Sequence, residues 1–321
     1  MVVKITTPWD HNYNAQLEFV KSYGVDFQIN NGLNEADWWI IWGGLKHSET
    51  VNCSNLLYVA DESHEERFYN QDFLNQFKQI ASVSSHPFHT NRIYIHELTI
   101  WYFKNYEERF KKDVFNKTKN ISILCSDASG LEGHKKRYAL VNKLIGHFKD
   151  KIDVYGRGFN YIDDKFDALK DYKYSVAIEN KSIPNYFSEK LIECFMTYTL
   201  PIYAGCTNIH EYFDADVVFE LDLDDYKKSI NLIEKILDDD PYEKLREKLS
   251  VTRQLYLDKF HLFPALANVV NAISNNSISP PKKLITIKPE SGFIPTFQTL
   301  QFSSIDDIFK EIAKRFLRKL S

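Results

Sequence analysis

Residues 174–205, YSVAIENKSIPNYFSEKLIECFMTYTLPIYAG, place a glutamate, an asparagine and a Ser-Glu-Lys triplet between two hydrophobic runs. YSVAIEN reads as a buried strand that delivers Glu179 and Asn180 at its C-terminal end, where open parallel sheets bind ligands. Ser188 is placed to cap the helix that follows, because its side-chain oxygen can accept one of the unpaired N–H groups of the first turn. Leu191, Ile192, Phe195 and Met196 fall on one inward face of that helix, which leaves Glu189 and Lys190 in the first turn. A lysine at the positive end of a helix dipole is unfavourable unless an anion lies beside it. Free backbone N–H groups together with that lysine make an anion site, and a diphosphate is its natural guest. By spacing alone, a surface lysine tolerated at small cost accounts for the residue equally well.

The elements that must position these groups alternate between strand and helix. VVKITT, VDFQI, WWIIWG, LLYVAD and IASVSS read as strands, with helices over 12–22 and roughly 64–78. The segment from Glu97 turns helical and then strongly charged, which suits a domain boundary near residue 112. A second series follows: strand ISILCS, helix 134–147, strand IDVYG, helix 163–170, strand YSVAIEN, helix 188–197 and strand LPIYAG. Short strands separated by helices call for parallel sheets with right-handed crossovers. The expected organisation is an N-terminal acceptor-binding domain over 1–112, a C-terminal donor-binding domain over 113–275, and a linker and basic tail over 276–321.

Composition bounds the function. A chain of 321 residues, 44% hydrophobic and 26% charged, has room for two cores. A net charge of −4 gives no overall attraction to nucleic acid or anionic lipid. Cys53, Cys125, Cys194 and Cys206 are far apart with no CxxC spacing, so they read as buried free thiols in a reducing, cytoplasmic compartment. The start, MVVKITTPWDHN, has no apolar h-region, and no apolar run approaches the length of a membrane span.

The order Glu179-Asn180, Tyr186, Ser188-Glu189-Lys190-Leu191, then Pro201-Ile202-Tyr203 and Gly205, resembles the donor-binding motif of glycosyltransferase family 10, the α-1,3/1,4-fucosyltransferases. Upstream, ISILCSDASGLEGHKKRYALVNKL is similar to the family's strand, serine-containing turn and arginine opening a helix, followed by the strand IDVYG. The resemblance covers residues 120–220. It implies a GT-B fold, two Rossmann-like doubly wound domains facing a central cleft. It also implies inverting transfer of a sugar from a nucleotide diphosphate, most naturally L-fucose from GDP-fucose, onto a glycan hydroxyl, with no metal required for catalysis. By the same register Arg137 contacts the diphosphate and Ser126 lies in the turn. Arg137 and Lys190 would then neutralise the leaving group as it forms. Glu189 and Asn180 would hydrogen-bond ribose or sugar hydroxyls, and Tyr186 would stack on or hydrogen-bond the nucleotide. Glu179 stands either in this set or as a structural anchor.

Inversion requires a base on the acceptor side to take the proton of the attacking hydroxyl. LLYVADESHEERF ends a strand at Tyr58 and delivers Asp61 and Glu62 into a loop. The family carries its base on a comparable loop, often as Glu-Ser-Pro. Glu62-Ser63 matches, His64 replaces the proline, and Asp61 fits nearly as well; a helix-capping acid is the plain alternative. His86, His89 and His96 do not make a metal site, since proline within HPFH keeps two imidazoles off one helical face. Trp38 and Trp39 are successive in a strand and point to opposite faces, so ordinary core packing covers each. In IDDIFKEIAKRFLRKLS, Ile305, Ile308, Phe309, Ile312, Phe316, Leu317 and Leu320 form an apolar stripe ringed by Lys and Arg. Such a helix lies on an anionic membrane surface or docks on protein. The partners expected are a nucleotide sugar, an oligosaccharide or glycoconjugate acceptor and a peripheral membrane surface, and no nucleic acid. A related transferase with another donor sugar, or a glycan- or nucleotide-binding module without catalysis, satisfies the same motifs; only an enzyme has use for Asp61 or Glu62.

Overall fold

The alternation of short apolar runs with amphipathic segments resolves, in the computed structural model, into two sheets in two compact units. The structure describes residues 1–62, 67, 69–83, 92–104, 115–126, 132–276 and 278–293.

Among the described residues, one unit comprises 2–10, 27–62, 67, 69–83, 92–93 and 279–293. Its sheet contains β1 (Val2–Thr6), β2 (Asp26–Ile29), β3 (Glu35–Trp42), β4 (Glu49–Val59), β5 (Ile80–Ser82) and β6 (Arg92–Tyr94), in the order β2-β1-β3-β4-β5-β6. The pairs β1–β3, β3–β4 and β4–β5 are parallel. Trp38 and Trp39 are both buried, and Trp39 Nε1 donates to Thr6 Oγ1 at 3.0 Å, so both sheet faces are covered and these rings are core. Strand Lys283–Ile287 (β12) pairs antiparallel with β4, Ile285 opposite Val51. The chain after residue 276 is therefore not all linker and tail, because Ile287 is buried in this unit's core. The amphipathic segment 305–320 lies outside the described residues.

Among the described residues, the other unit comprises Met1, 11–26, 94–104, 115–126, 132–276 and 278. Its sheet contains β7 (Lys119–Leu124), β8 (Ile152–Tyr155), β9 (Tyr172–Ile178), β10 (Leu200–Ala204) and β11 (Phe219–Glu220), all parallel, in the order β11-β10-β9-β7-β8. Strands β9 and β10 are almost wholly buried, as expected of a parallel sheet covered on both faces. After the short helices α1 (Asn14–Leu17) and α2 (Gln71–Leu74), helix α3 (Glu132–Phe148) crosses from β7 to β8, and α4 (Glu189–Met196) from β9 to β10. The expected helix over 163–170 is a single 3-10 turn, Lys165–Ala168, started by the Asp164 carboxylate accepting from Phe166 N–H.

A contiguous split at residue 112 is not what forms. Trp101 and Phe103 bury themselves in the core of the unit that holds β7 to β11. Residues 11–26 join the same unit: Gln16 Oε1 lies 3.1 Å from His261 Nε2, and Asn271 Nδ2 donates to Tyr23 O at 3.2 Å. The proposed boundary itself, near 112, lies outside the described residues. Two largely parallel sheets flanked by helices make the fold GT-B-like, the class expected.

Candidate active site

In chain order the second sheet runs 2-1-3-4-5, so the crossovers leave β7 and β9 on opposite sides of the sheet and open a crevice between their C-terminal ends. Ligands bind open α/β sheets at this switch point. A pocket of about 380 Å³ lies there, floored by Leu124 and Cys125 from β7's end and by Ser175 to Ala177 from β9. Its polar wall holds Ser126, Arg137, Asn180, Glu189 and Lys190. The eight donor-site residues expected from the sequence thus separate into two groups: these five meet at one pocket, and Glu179, Tyr186 and Ser188 lie behind it.

Glu179 is the chief support. It is buried, and its Oε1 accepts from Ser188 N–H at 2.7 Å while its Oε2 accepts from Ser188 Oγ at 2.6 Å. Ser188 Oγ in turn accepts from Lys190 N–H at 3.3 Å, which caps α4. The end of β9 is thereby clamped to the start of α4. Gly205 is required by the same clamp, since a Cβ there would come within 2.3 Å of Glu179 Cγ. Burial raises the Glu179 pKa against the opposing pull of Lys190. Glu179 and Ser188 are not among the lining side chains, nor is Tyr186, which is buried, with its carbonyl 3.5 Å from Tyr203 Oη. A stacking role for Tyr186 does not follow from that position; the apolar ring is used in the core.

The charged wall is tightly ordered. Lys190 Nζ lies 3.1 Å from Ser188 Oγ, 3.4 Å from Glu189 Oε1 and 3.5 Å from Glu179 Oε2. Burial opposes its charge, but Glu179 and Glu189 outweigh that and raise its pKa. Burial presses the Glu189 carboxyl upward, yet Lys190 and Lys165 carry it down to about 2. Arg137 Nη1 donates to Asn180 Oδ1 at 2.8 Å, and its Nε is buried with no hydrogen-bond partner among the described residues. A buried guanidinium N–H left unmatched costs free energy unless a ligand oxygen completes it. Arg137, Lys190 and the N–H groups of α4's first turn thus suit a bound oxyanion.

Two charged lining residues that the sequence reading did not assign are Lys165 and Glu193. Glu193 lies one turn beyond Glu189 within the otherwise apolar LIECFM, a signal that a buried acid sits on the inward face. Lys165 had no local signal, because the 3-10 turn that carries it meets α4 only through the fold.

In the other unit, Asp61 Oδ1 pairs with Arg67 Nη1 and lies 3.1 Å from the Tyr69 hydroxyl. Arg67 also holds Glu290 at 2.7 Å and donates to Gly43 O at 2.9 Å. Asp61 is thus bound into a network that ties the end of β4 to the segment after β12. Glu62 is tied through its backbone: the Tyr69 hydroxyl donates to Glu62 O at 2.7 Å. Ser63 and His64 lie outside the described residues.

Of the three histidines in the N-terminal half considered for metal, His86 and His89 lie outside the described residues. His96 stacks on Phe187 and its Nε2 lies 2.8 Å from Phe260 O; burial lowers its pKa to about 4. Among the described residues no group of three His, Cys, Asp or Glu could hold a metal ion. All four cysteines are buried and unpaired with one another. No helix among the described residues is long and apolar enough to cross a membrane.

Residues 114–248 match the family model described as glycosyltransferase family 10 (fucosyltransferase) C-term. A fucosyltransferase-like protein of Arabidopsis thaliana is 38% identical over 72 residues, 22% of this chain and 14% of that protein, so the match spans a small part of the relative's length. Among solved structures, an α1,3-fucosyltransferase with GDP-fucose is 14% identical, covering 81% of this chain and 92% of that one with a TM-score of 0.45. The DNA-modifying enzyme β-glucosyltransferase is 11% identical, covering 86% and 100% with a TM-score of 0.49. The matched segment contains every side chain that lines the pocket. Residues 114–248 belong to glycosyltransferase family 10, the fucosyltransferases.

Proposed function

We propose that the protein transfers L-fucose from GDP-fucose, with inversion, to a hydroxyl of an oligosaccharide or glycoconjugate. The observation that carries this is the buried Arg137 guanidinium beside Lys190 at the switch-point pocket of a fucosyltransferase-family domain. In the reaction the acceptor oxygen attacks the anomeric carbon as the carbon–phosphate-oxygen bond breaks. The electron pair leaves with the diphosphate, where Arg137, Lys190 and the α4 N–H groups neutralise it. These cations do the work for which other transferases recruit a divalent ion, which supports transfer without a metal. Asn180 and Glu189 bind ribose or sugar hydroxyls, and Ser126 lines the same pocket.

The acceptor proton passes to Glu62, the base in this reading. Asp61, whose Oδ1 meets Arg67 and the Tyr69 hydroxyl, is the alternative base. The basic apolar-striped segment 305–320 supports a peripheral membrane contact on the cytoplasmic face. A screen of donor binding and hydrolysis across GDP-, UDP- and dTDP-sugars tests the function. GDP-fucose should be preferred; preference for another nucleotide sugar would reassign the donor. Binding without hydrolysis or transfer to any glycan acceptor would make the chain a binding module.

A further inference from the structure

The pocket's charge does not end with Arg137 and Lys190. Lys165 also lines it, with a side chain 41% exposed and Nζ 3.3 Å from Glu189 Oε1 and 3.4 Å from Glu193 Oε2. Glu193 is only 1% exposed; its Oε1 accepts from Tyr102 N–H at 3.0 Å, and its Oε2 has no hydrogen-bond partner among the described residues. The Lys165 ammonium is the cation that faces that oxygen. A buried carboxylate deprived of its counter-ion is costly enough that it neutralises instead.

Charge counting gives the direction. Among the charged side chains that line the pocket, Arg137, Lys165 and Lys190 face Glu189 and Glu193, and buried Glu179 also pairs with Lys190, so the three cations are already matched by three carboxylates. A sugar-nucleotide diphosphate is a diester with two negative charges. Protonation of Glu193 would leave one positive charge in excess and reduce the mismatch with an entering dianion.

We propose, resting on the donor reading above, that Lys165 is a third diphosphate-binding cation shared with Glu193, and that donor binding draws it away so that Glu193 takes up a proton from solvent. The groups facing Glu193 are Lys165 from the 3-10 turn, Glu189 and Cys194 from its own helix, and Tyr102 from the 92–104 segment. Burial raises the Cys194 thiol and the Tyr102 hydroxyl, so both stay neutral. Burial carries Glu193 up to about 7, against the pull of Lys165, which leaves it the member of the cluster that titrates near neutrality. Lys165 is the binding residue, and Glu193 is its positioning residue.

Titration calorimetry of the full chain with GDP-fucose, at pH 7 in two buffers of different ionisation enthalpy, reads both affinity and proton uptake. The donor's phosphates are both esterified and do not titrate between pH 6 and 8. The wild type should take up part of a proton and bind more weakly as pH rises through 7. Glu193→Gln should bind with no proton uptake and a flat pH profile. Lys165→Met should lose affinity roughly tenfold. Lys165→Arg should retain affinity, which separates lost charge from lost folding. Wild-type affinity in Lys165→Met, or undiminished uptake in Glu193→Gln, overturns the inference alone. No binding of GDP-fucose by the wild type overturns the donor reading and this inference with it.

Discussion

Arg137 Nη1 donates to Asn180 Oδ1 at 2.8 Å, joining the early turns of α3 to the residue that follows β9 by two positions. The two come from opposite sides of the switch point, so the bond presets the pocket's width before any ligand enters. Preorganisation of this kind is what makes an electrostatic site effective, since the donors need not rearrange as charge develops.

Arg137→Ala and Lys190→Ala should each weaken GDP binding and cut turnover by more than about tenfold, the worth of a charge contact in a partly desolvated site. Lys190→Ala should also lower the melting temperature, because it strips a counter-ion from buried Glu179. Unchanged GDP affinity in both variants, measured by calorimetry, would remove the diphosphate from this wall.

Glu62→Gln preserves shape but removes the proton acceptor. Donor binding should stay near wild type while transfer falls by roughly 10²–10⁴-fold. Asp61→Asn should act mainly on stability through the Arg67 network, with a smaller loss of transfer. A large loss of transfer from Asp61→Asn at unchanged stability would move the base by one residue.

Gly133 opens α3 directly against the strand end, and a Cβ there would lie 2.0 Å from Asn180 O. Gly133→Ala must push helix and strand apart, which separates Arg137 from Asn180. GDP affinity should fall at least as far as in Arg137→Ala, although no charged group is altered. Wild-type affinity in a folded Gly133→Ala variant would show that the close approach is not needed for the site.

The two glutamates of α4 should pull stability in opposite directions with pH. Glu189 has a folded pKa of about 2, below its unfolded value, so its contribution is complete above about 4.5 and is lost as pH falls toward 2. Glu193 has a folded pKa of about 7, above its unfolded value. Between about 4.5 and 7 the folded protein holds a proton that the unfolded chain has released, so stability falls as pH rises through that window. The melting temperature of Glu193→Gln relative to wild type should therefore rise from pH 4.5 to 7. Differential scanning at pH 4.5, 6 and 8 checks this, and a constant difference would mean that Glu193 is ionised throughout.

Much of the donor wall was legible in the order of residues. A strand that ends in Glu179-Asn180 and a helix that begins Ser188-Glu189-Lys190 are local events: hydrophobic period, a cap and a dipole decide them within a dozen residues. The alternation that called for parallel sheets is local too, which is why helices 134–147 and 188–197 appear within two residues of their expected ends. The division of the chain into units was not local. Nothing in TPWDHN or ELTIWYF says which core will bury the apolar side chains that follow, and residues 11–26 and 94–104 pack with the C-terminal sheet while β12 returns to the N-terminal one. Tertiary packing also sorted the motif into working and supporting parts. Glu179 became a clamp because both of its oxygens face Ser188, and Asp61 became half of an ion pair because the chain brings Arg67 back to it. Lys165 and Glu193 met because a 3-10 turn crosses beside α4, 28 positions apart in the chain and 3.4 Å apart in space. Charge acts over distance in space, and only the folded chain sets those distances.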